Sequence, residues 1–261
     1  MRIATWNINS VTSRLEKLTA WLTTAAPDVL CLQELKCTSD AFPYAALTDL
    51  GYEVAAHGAG RWNGVAIVSK VGLTDVVRDL PGQPAYDGAV EPRAIGATCG
   101  GVRVWSLYIP NGREPGHPHF DYKIDWLHTL ATAAKAELTA CGELPLGLLG
   151  DFNVAPTDAD VWDRSHFEHS THVTPVEREA VAELTDVGLV EVMPRALKYD
   201  VPFTFWDYRQ LAFPKNNGMR IDLVFASPSF KALVNDAYVD REARKGKGTS
   251  DHAPIVVDLA L

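Results

Sequence analysis

The sequence predicts an α/β fold in which two sheets pack face to face and helices cover their outer sides. Short apolar runs alternate with longer stretches that carry apolar residues at helical spacing. These predicted strands and helices occur in two similar halves, and no low-complexity linker divides them. We therefore expect one domain over residues 1–261, which is long enough to bury roughly three quarters of the surface of the extended chain.

The prediction is organised around residues 146–156. An apolar run without polar interruption, typical of a strand buried on both faces, stops there at Asp151 and Asn153. Gly150 permits an unusual turn and Pro156 disfavours a following helix, so we expect both polar side chains on a fixed elbow. An Asx turn that merely ends a strand is the ordinary alternative.

The N-terminal part has the pattern of a strand, helix and strand unit. Its elements are a strand over residues 3–7, a helix that Ser13 and Glu16 open as a capping box, and a strand over residues 29–32. Asn7 and Glu34 then follow corresponding strand ends.

The rest of the chain continues this alternation. The predicted elements are strands over residues 64–69, 94–98, 102–108, 203–208, 219–227 and 255–259, and helices over residues 120–141 and after the capping box of Thr174 and Glu177. The strands over 94–98 and 102–108 form a hairpin, and those over 203–208 and 219–227 pair antiparallel.

Charge at first argues against a polyanionic partner, since 24 Lys and Arg stand against 33 Asp and Glu, a net charge of −9. Residues 158–191 alone hold nine acids and two bases, so most of the excess lies in one segment. A nucleic acid would have to bind the local bases, which are Arg61, Arg113, Lys123, Arg209, Lys215, Arg220 and the cations of residues 241–247.

Cysteine and hydropathy patterns exclude several classes. The four cysteines have no paired spacing, which predicts reduced thiols and makes a zinc site improbable. No apolar run approaches the roughly 20 residues of a membrane span, and the N-terminus enters a strand without a signal-type segment. We expect a soluble, cytoplasmic protein.

Eight polar residues lie at or near predicted strand boundaries. They are Asn7, Glu34, Tyr108, Asp151, Asn153, Asp222, Asp251 and His252. Open α/β sheets gather such ends into one crevice, although most of these residues also have an ordinary structural explanation. Asp222 interrupts an apolar strand and needs a partner if buried, for which His252 is suited.

The chemistry that these residues imply is hydrolysis of a phosphodiester. Oxygen ligands without a Cys or His cluster suit Mg²⁺ or Mn²⁺, and Glu34 is the first candidate ligand. Asp151 is suited to activate water as general base, and His252, kept protonated by Asp222, to donate to a phosphate oxygen. Asn7, Tyr108 and Asn153 would be neutral donors at the same centre.

At these residues the sequence resembles the exonuclease III family of apurinic/apyrimidinic endonucleases, within the endonuclease/exonuclease/phosphatase superfamily that includes deoxyribonuclease I. The matching segments are residues 5–10, 32–34, 63–67, 108–112, 150–153, 220–222 and 250–254, in order. The resemblance spans residues 3–259. It implies a four-layer α/β/β/α sandwich and Mg²⁺-dependent cleavage 5′ to an abasic site that leaves a 3′ hydroxyl. Exonuclease activity from 3′ to 5′ and 3′ phosphodiesterase activity usually accompany it.

The resemblance also assigns residues. It implies Glu34 as principal metal ligand, Asp251 as a supporting or second-metal ligand, and Asn7, Asp151 and Asn153 as further ligands. Asn111 and Arg113 should contact the substrate, and Phe205, Trp206, Met219 and Ile221 should line an apolar slot for the base-less sugar that is too small for a base. For Trp206 and Met219, ordinary core packing is equally compatible with the sequence.

The partner implied is double-stranded DNA with abasic sites or 3′ ends, bound by a nucleoid-associated monomer. Two other readings stay open at this point. One is a superfamily phosphoesterase that acts on RNA or on a soluble or lipid phosphoester, and the other is a binding module with a degenerate site. The balance of endonuclease and exonuclease activity, Mg²⁺ against Mn²⁺, and one metal against two also stay open.

Overall fold

The computed structural model describes residues 1–261 and contains two mixed β-sheets. The strands are β1 (Arg2–Asn7), β2 (Val29–Gln33), β3 (Glu53–His57), β4 (Val65–Ser69), β5 (Thr74–Arg78), β6 (Ala94–Cys99), β7 (Val102–Tyr108), β8 (Leu146–Asp151), β9 (Val190–Glu191), β10 (Arg195–Ala196), β11 (Asp222–Ala226), β12 (Val234–Val239) and β13 (Ile255–Leu259). The helices are α1 (Leu15–Ala25), α2 (Tyr44–Thr48), α3 (Pro118–Cys141), α4 (Pro175–Asp186), α5 (Ala212–Lys215) and α6 (Pro228–Leu233). Three short 3₁₀ turns complete the structure (Asp158–Asp160, Arg164–Phe167 and Arg241–Arg244).

The two sheets form the inner layers of the molecule. The first has the strand order β10-β12-β13-β1-β2-β4-β3, and the second has the order β5-β6-β7-β8-β11-β9. Strand β1 runs parallel to β2 and β7 runs parallel to β8, so their carboxyl ends lie at one edge of each sheet. Apolar side chains from both sheets, including Val29, Ile67, Val104 and Leu149, form a common core between them.

Helices cover the two outer faces. Leu18 and Leu22 of α1 pack with side chains of the first sheet, and Trp126 and Leu130 of α3 pack with side chains of the second. Such burial stabilises by roughly 1.5–3 kcal/mol per large side chain, which is why the amphipathic helices lie flat on the sheets. The predicted four-layer α/β/β/α sandwich is confirmed. No helix has the length and apolar character that crossing a membrane requires.

The local signals of α4 act as predicted. The side chain of Thr174 accepts from the backbone of Glu177, the Glu177 carboxylate accepts from the backbone of Thr174, and Pro175 stands at the first helical position. The hairpin of β6 and β7, the long helix α3 and the buried strand β8 are confirmed as well.

Two local predictions are wrong. Helix α1 begins after Arg14 without a side-chain cap, because the hydroxyl of Ser13 binds that of Ser10 instead. Residues 203–208 do not form a strand. Their backbone divides its hydrogen bonds between Met219 and Asp251, so this segment bridges two loops and pairs fully with neither.

Candidate active site

The elbow after β8 sets the position of Asp151. Tyr108 at the end of β7 and Asp222 at the start of β11 both lie beside Asp151 in the sheet register. A Cβ at Gly150 would lie 1.9 Å from the carbonyl oxygen of Leu107, so glycine serves the close approach of β7 and β8. The turn itself falls at Asn153, which has a φ of 52°.

Two carboxylates meet at one side-chain amide. Nδ2 of Asn7 donates to Oε2 of Glu34 and to Oδ2 of Asp151, each at 2.9 Å. The backbone N–H of Asn153 donates to Oδ1 of Asp151 at 2.9 Å. The predicted residues Asn7, Glu34 and Asp151 therefore lie together, although they come from three different strand ends.

Asp222 and His252 form the buried pair that the sequence suggested. Nδ1 of His252 lies 2.8 Å from Oδ2 of Asp222, and both side chains are buried. Burial alone would lower the pKa of His252, but the carboxylates of Asp222 and Asp151 raise it to about 10. The imidazolium is therefore the stable form at neutral pH.

Asp151 faces the other nitrogen of this ring. Its Oδ2 lies 3.8 Å from Nε2 of His252, which is too long for a hydrogen bond and leaves this N–H free to donate to a substrate. Burial raises the pKa of Asp151 to about 7, with Asp222 adding to the increase and His252 opposing it. A carboxylate with such a pKa is suited to accept a proton near neutral pH.

Tyr108 contributes a neutral donor. Burial and the Glu34 carboxylate raise the pKa of its hydroxyl well above the ordinary value. The guanidinium of Arg93 donates to the Tyr108 carbonyl at 3.2 Å and lies over its ring, which fixes the side chain.

The donor set at Glu34 and Asp151 fits a hard divalent cation. Their oxygens converge on a single Asn7 nitrogen, and no sulfur or neutral imidazole stands among them. Asp151, Asp222 and His252 also present ligand atoms within 4.8 Å of one another. A protonated imidazole has no free lone pair, however, so these three groups form a proton-transfer cluster.

Asp251 lies apart from the two converging carboxylates. Its Oδ1 accepts from Asn9 at 2.8 Å, and Oδ1 of Asn9 accepts from Lys36 at 2.7 Å. Nζ of Lys36 lies 2.8 Å from Oε1 of Glu34. Asn9 and Lys36 thus separate Asp251 from Glu34, and sequence reasoning singled out neither of them for the site. Both have positive φ, at 47° and 54°, so loop conformation rather than a strand end positions them.

A pocket of about 470 Å³ opens beside these groups. It is lined by Asn111, Arg113, Trp162, His166, Phe167, Ser170, Thr171, His172, Phe205, Asp207, Arg209, Gln210, Ala212, Asn217 and Met219. The ring of Phe205 lies 5.0 Å from that of His252, which joins the pocket to the proton-transfer cluster. Asn111 reaches the elbow by donating to Oδ1 of Asn153 at 3.2 Å.

Two predicted pocket residues are buried and do not themselves line the pocket. Trp206 is 1% exposed, lies in the core between the sheets and donates to Asn216, so core packing is its role. Ile221 is 2% exposed and belongs to the apolar cluster of Ala155 and Val173 that also contains Met219 of the pocket lining. The lining of the pocket is also more polar than the predicted apolar slot. The volume of the pocket lies within the range of sites for drug-sized ligands.

Four predicted phosphate-binding cations are buried. Lys123 pairs with Glu177, and Arg220 pairs with Asp160 and Glu191. Arg241 and Arg244 pack against the ring of Phe213, each with 7% exposure. The exposed members are Arg61, Arg113, Arg209, Lys215, Lys245 and Lys247, so only part of the predicted basic surface is available to a polyanion.

Sequence reasoning missed the pocket residues between α3 and α4. Nδ1 of His172 donates to the Asn153 carbonyl, and burial and Lys123 lower the pKa of His172 to about 4, so the ring is neutral. Trp162 is 38% exposed and lies 5.1 Å from the His166 ring. These residues lie in or beside the short 3₁₀ turns between β8 and α4, where no periodicity marks a site.

Three comparisons with known proteins find relatives that match almost the whole chain. The sequence model of the Endonuclease/Exonuclease/phosphatase family matches residues 4–252. Exodeoxyribonuclease III of Haemophilus influenzae is 30% identical over 273 residues, covering 98% of each chain. The 3′ phosphatase NExo of Neisseria, solved with a product DNA hairpin, has a TM-score of 0.94 and 38% identity, with 100% of each chain covered. An AP endonuclease of Archaeoglobus fulgidus has a TM-score of 0.92 and 31% identity, again over 100% of each chain.

Proposed function

The chain belongs to the endonuclease/exonuclease/phosphatase family and is a DNA repair nuclease, and we propose that its principal activity is hydrolysis of phosphoesters at 3′ ends. The observation that carries this proposal is the convergence of Asn7, Glu34, Asp151 and the Asp222–His252 pair beside a pocket of about 470 Å³. The Neisseria 3′ phosphatase and the Haemophilus exodeoxyribonuclease III support an action on DNA ends. The size and polarity of the pocket favour a terminal nucleotide over a base-less sugar alone.

Each residue has a role that its surroundings support. Asp151 takes the proton of the attacking water, because its pKa of about 7 leaves a substantial fraction ionised near neutral pH. His252 donates from Nε2 to a non-bridging phosphate oxygen, and Asp222 holds its ring and its charge. Asn7, Asn153 and the neutral hydroxyl of Tyr108 complete the polar surface around the reacting phosphate.

Glu34 would hold the metal ion, which we propose to be Mg²⁺, with Asn7 and Asn153 close by and Asp251 in a supporting position, so that Asp151 stays free to accept the proton. When bound, the ion supplies positive charge that stabilises the charge developing on the phosphoryl oxygens. Asn111 and Arg113 at the rim would bind the neighbouring phosphate, and Phe205 and Met219 would contact the terminal sugar. All of these residues come from one chain, in keeping with a monomer as the active form.

Incision 5′ to an abasic site, leaving a 3′ hydroxyl, is the second candidate activity. The Archaeoglobus AP endonuclease favours it, because that protein matches the whole chain at 31% identity. The flipped abasic sugar would enter the same pocket with little loss of stacking.

A substrate panel tests the order of these activities. Labelled duplexes would carry a nick with a 3′ phosphate, a nick with a 3′ hydroxyl, or one tetrahydrofuran abasic analogue, and a single-stranded RNA would serve as comparison. We expect the 3′ phosphate to be removed with the highest kcat/KM. Faster incision at the analogue would reverse the order, and preference for RNA over every duplex would support a different phosphoesterase.

A further inference from the structure

A buried ion pair stands behind the elbow and takes no direct part in the chemistry. Lys123 of α3 and Glu177 of α4 are both 0% exposed, and Nζ lies 2.5 Å from Oε1. Burial alone would raise the pKa of Glu177, but Lys123 and hydrogen bonds from Thr171 and the His172 backbone lower it to about 2. The carboxylate is therefore ionised at neutral pH.

The remaining donors of Lys123 point to the two active-site loops. Nζ donates to the carbonyl of Asn153 at 2.6 Å and to the carbonyl of Asn111 at 3.2 Å. These are the residues whose side chains bind each other beside the reacting centre. One ammonium group thus fixes the backbone of both.

The Glu177 side of the pair extends the same network. The hydroxyl of Thr171 donates to Oε1 of Glu177 at 2.6 Å and also lies 3.1 Å from the Asn111 carbonyl. The backbone N–H of His172 donates to Oε1 at 2.9 Å. Oε2 of Glu177 accepts from the N–H and the hydroxyl of Thr174 at the start of α4. The Glu177 carboxylate therefore binds both the pocket wall and the first turn of the helix.

Gly112 makes room for this arrangement. A Cβ at this position would lie 2.7 Å from the Thr171 hydroxyl and 3.0 Å from Cδ of Lys123, and its φ of 92° also favours glycine. The loop therefore packs directly on the lysine stem, where a side chain would push it away.

We propose that Lys123 and Glu177 are positioning residues, which hold the Asn111 and Asn153 loops in register so that Asp151 and the phosphate contacts meet the substrate together. The link to Asp151 is the N–H of Asn153, which donates to Oδ1 of Asp151. Stability alone does not account for a fully buried ion pair, because apolar replacements of such pairs are often neutral or stabilising. This inference rests on the proposed nuclease function of the same site.

The test compares the double substitution Lys123→Met with Glu177→Gln against a matched pair, Arg103→Met with Glu137→Gln. Arg103 and Glu137 form another ion pair on α3, which joins this helix to the second sheet with a 2.6 Å contact at the end of β7 opposite Tyr108. On a nicked duplex with a 3′ phosphate, the first double variant should lose about 10- to 100-fold in kcat with little change in KM. The control pair should keep kcat near that of the wild type, and its unfolding midpoint shows what the loss of an ion pair on α3 alone does to stability.

Amide hydrogen exchange supplies a readout that does not depend on activity. Exchange at residues 109–113 and 151–155 should accelerate in the Lys123 and Glu177 variant and stay unchanged in the matched pair. Faster exchange with an inactive wild type would reject the proposed function and retain the positioning role. Unchanged exchange together with kcat within about twofold of the wild type would overturn the inference.

If the double variant fails to fold, Thr171→Val decides the matter. It keeps the shape and removes only the hydroxyl between Glu177 and Asn111. A fall in kcat with faster exchange in the Asn111 loop would support positioning, and wild-type values for both would overturn it.

Discussion

At the scale of single residues, the charge of His252 is the central feature of the site. A buried imidazole is ordinarily neutral, yet two carboxylates lie beside this one, and the pKa rises to about 10. Asp151, at the same cluster, has its pKa raised to about 7. The neighbouring carboxylates therefore keep His252 a persistent donor, and burial makes Asp151 a proton acceptor 3.8 Å away.

Substitution of Asp222 by Asn should separate these two roles. With the partner carboxylate neutralised, the pKa of His252 falls, so the alkaline limb of kcat/KM moves to lower pH by at least about one unit. The sign follows from the protonated ring being the active form, since activity is lost as pH rises through its pKa. The measurement is a pH profile on the 3′-phosphate duplex, with Asp258→Asn, far along β13, as control. An alkaline limb at the wild-type position would remove Asp222 from this role.

Residue types at strand ends were predictable, but their partners on loops were not. Asn7, Glu34 and Asp151 follow apolar runs, and parallel strands bring such ends together. Lys36 and His172 have φ values of 54° and 82°. Neither residue type predicts such a backbone conformation. Their place in the site depends on tertiary contacts between distant segments.

At the scale of elements, the close approach of β7 and β8 supports the whole centre. These parallel strands carry Tyr108 and Asp151 on adjacent ends, and Gly150 lies against the Leu107 carbonyl. The sequence suggested Gly150 as a turn residue. It serves instead as a contact between strands, which only the sheet register reveals.

Replacement of Gly150 by Ala should therefore destabilise the protein by more than about 2 kcal/mol, because the new Cβ would meet a backbone oxygen that cannot yield. Gly147→Ala in the same strand is the control, since its Cβ would meet side-chain atoms of Phe230 and Leu149 at 3.0 and 3.1 Å that can shift. Urea unfolding of both variants gives the comparison. A Gly150→Ala protein no less stable than Gly147→Ala would contradict this account.

The elements that the sequence predicted correctly have a clear pattern of apolar residues. Strand β8 is buried at every position and α3 runs for 24 residues, so their signals are clear. Strand β5 is mostly exposed, and β9 and β10 have two residues each, so no apolar pattern marks them. The segment 203–208 has a strand-like composition, and the competition of two partners for its backbone overrides it.

At the scale of the molecule, the acidic excess is partly internal. Three acids of the segment 158–191 bind buried cations, since Asp160 and Glu191 pair with Arg220 and Glu177 pairs with Lys123. The acidic excess of this segment is therefore less exposed at the surface than the sequence suggests. DNA binding should depend on a few exposed cations and be sensitive to salt.

Arg113 is one of two exposed cations that line the pocket, and the other, Arg209, pairs with Asp207. If it binds one phosphate, Arg113→Ala should reduce the slope of log K against log salt by about 0.9. Arg195→Ala on the edge strand β10 is the control and should leave the slope unchanged. Equal slopes for Arg113→Ala and the wild type would exclude a phosphate contact.

The central claim is that Asp151 and the groups around it hydrolyse DNA phosphoesters with a divalent metal. Release of inorganic phosphate from a 3′-phosphorylated nick tests it most directly, with wild type and Asp151→Asn, in Mg²⁺ and in chelator. We predict release by the wild type only with metal, and a loss of about 10²- to 10⁴-fold in Asp151→Asn with duplex binding retained. Chelator-resistant release, or near-normal turnover by Asp151→Asn, would contradict the account.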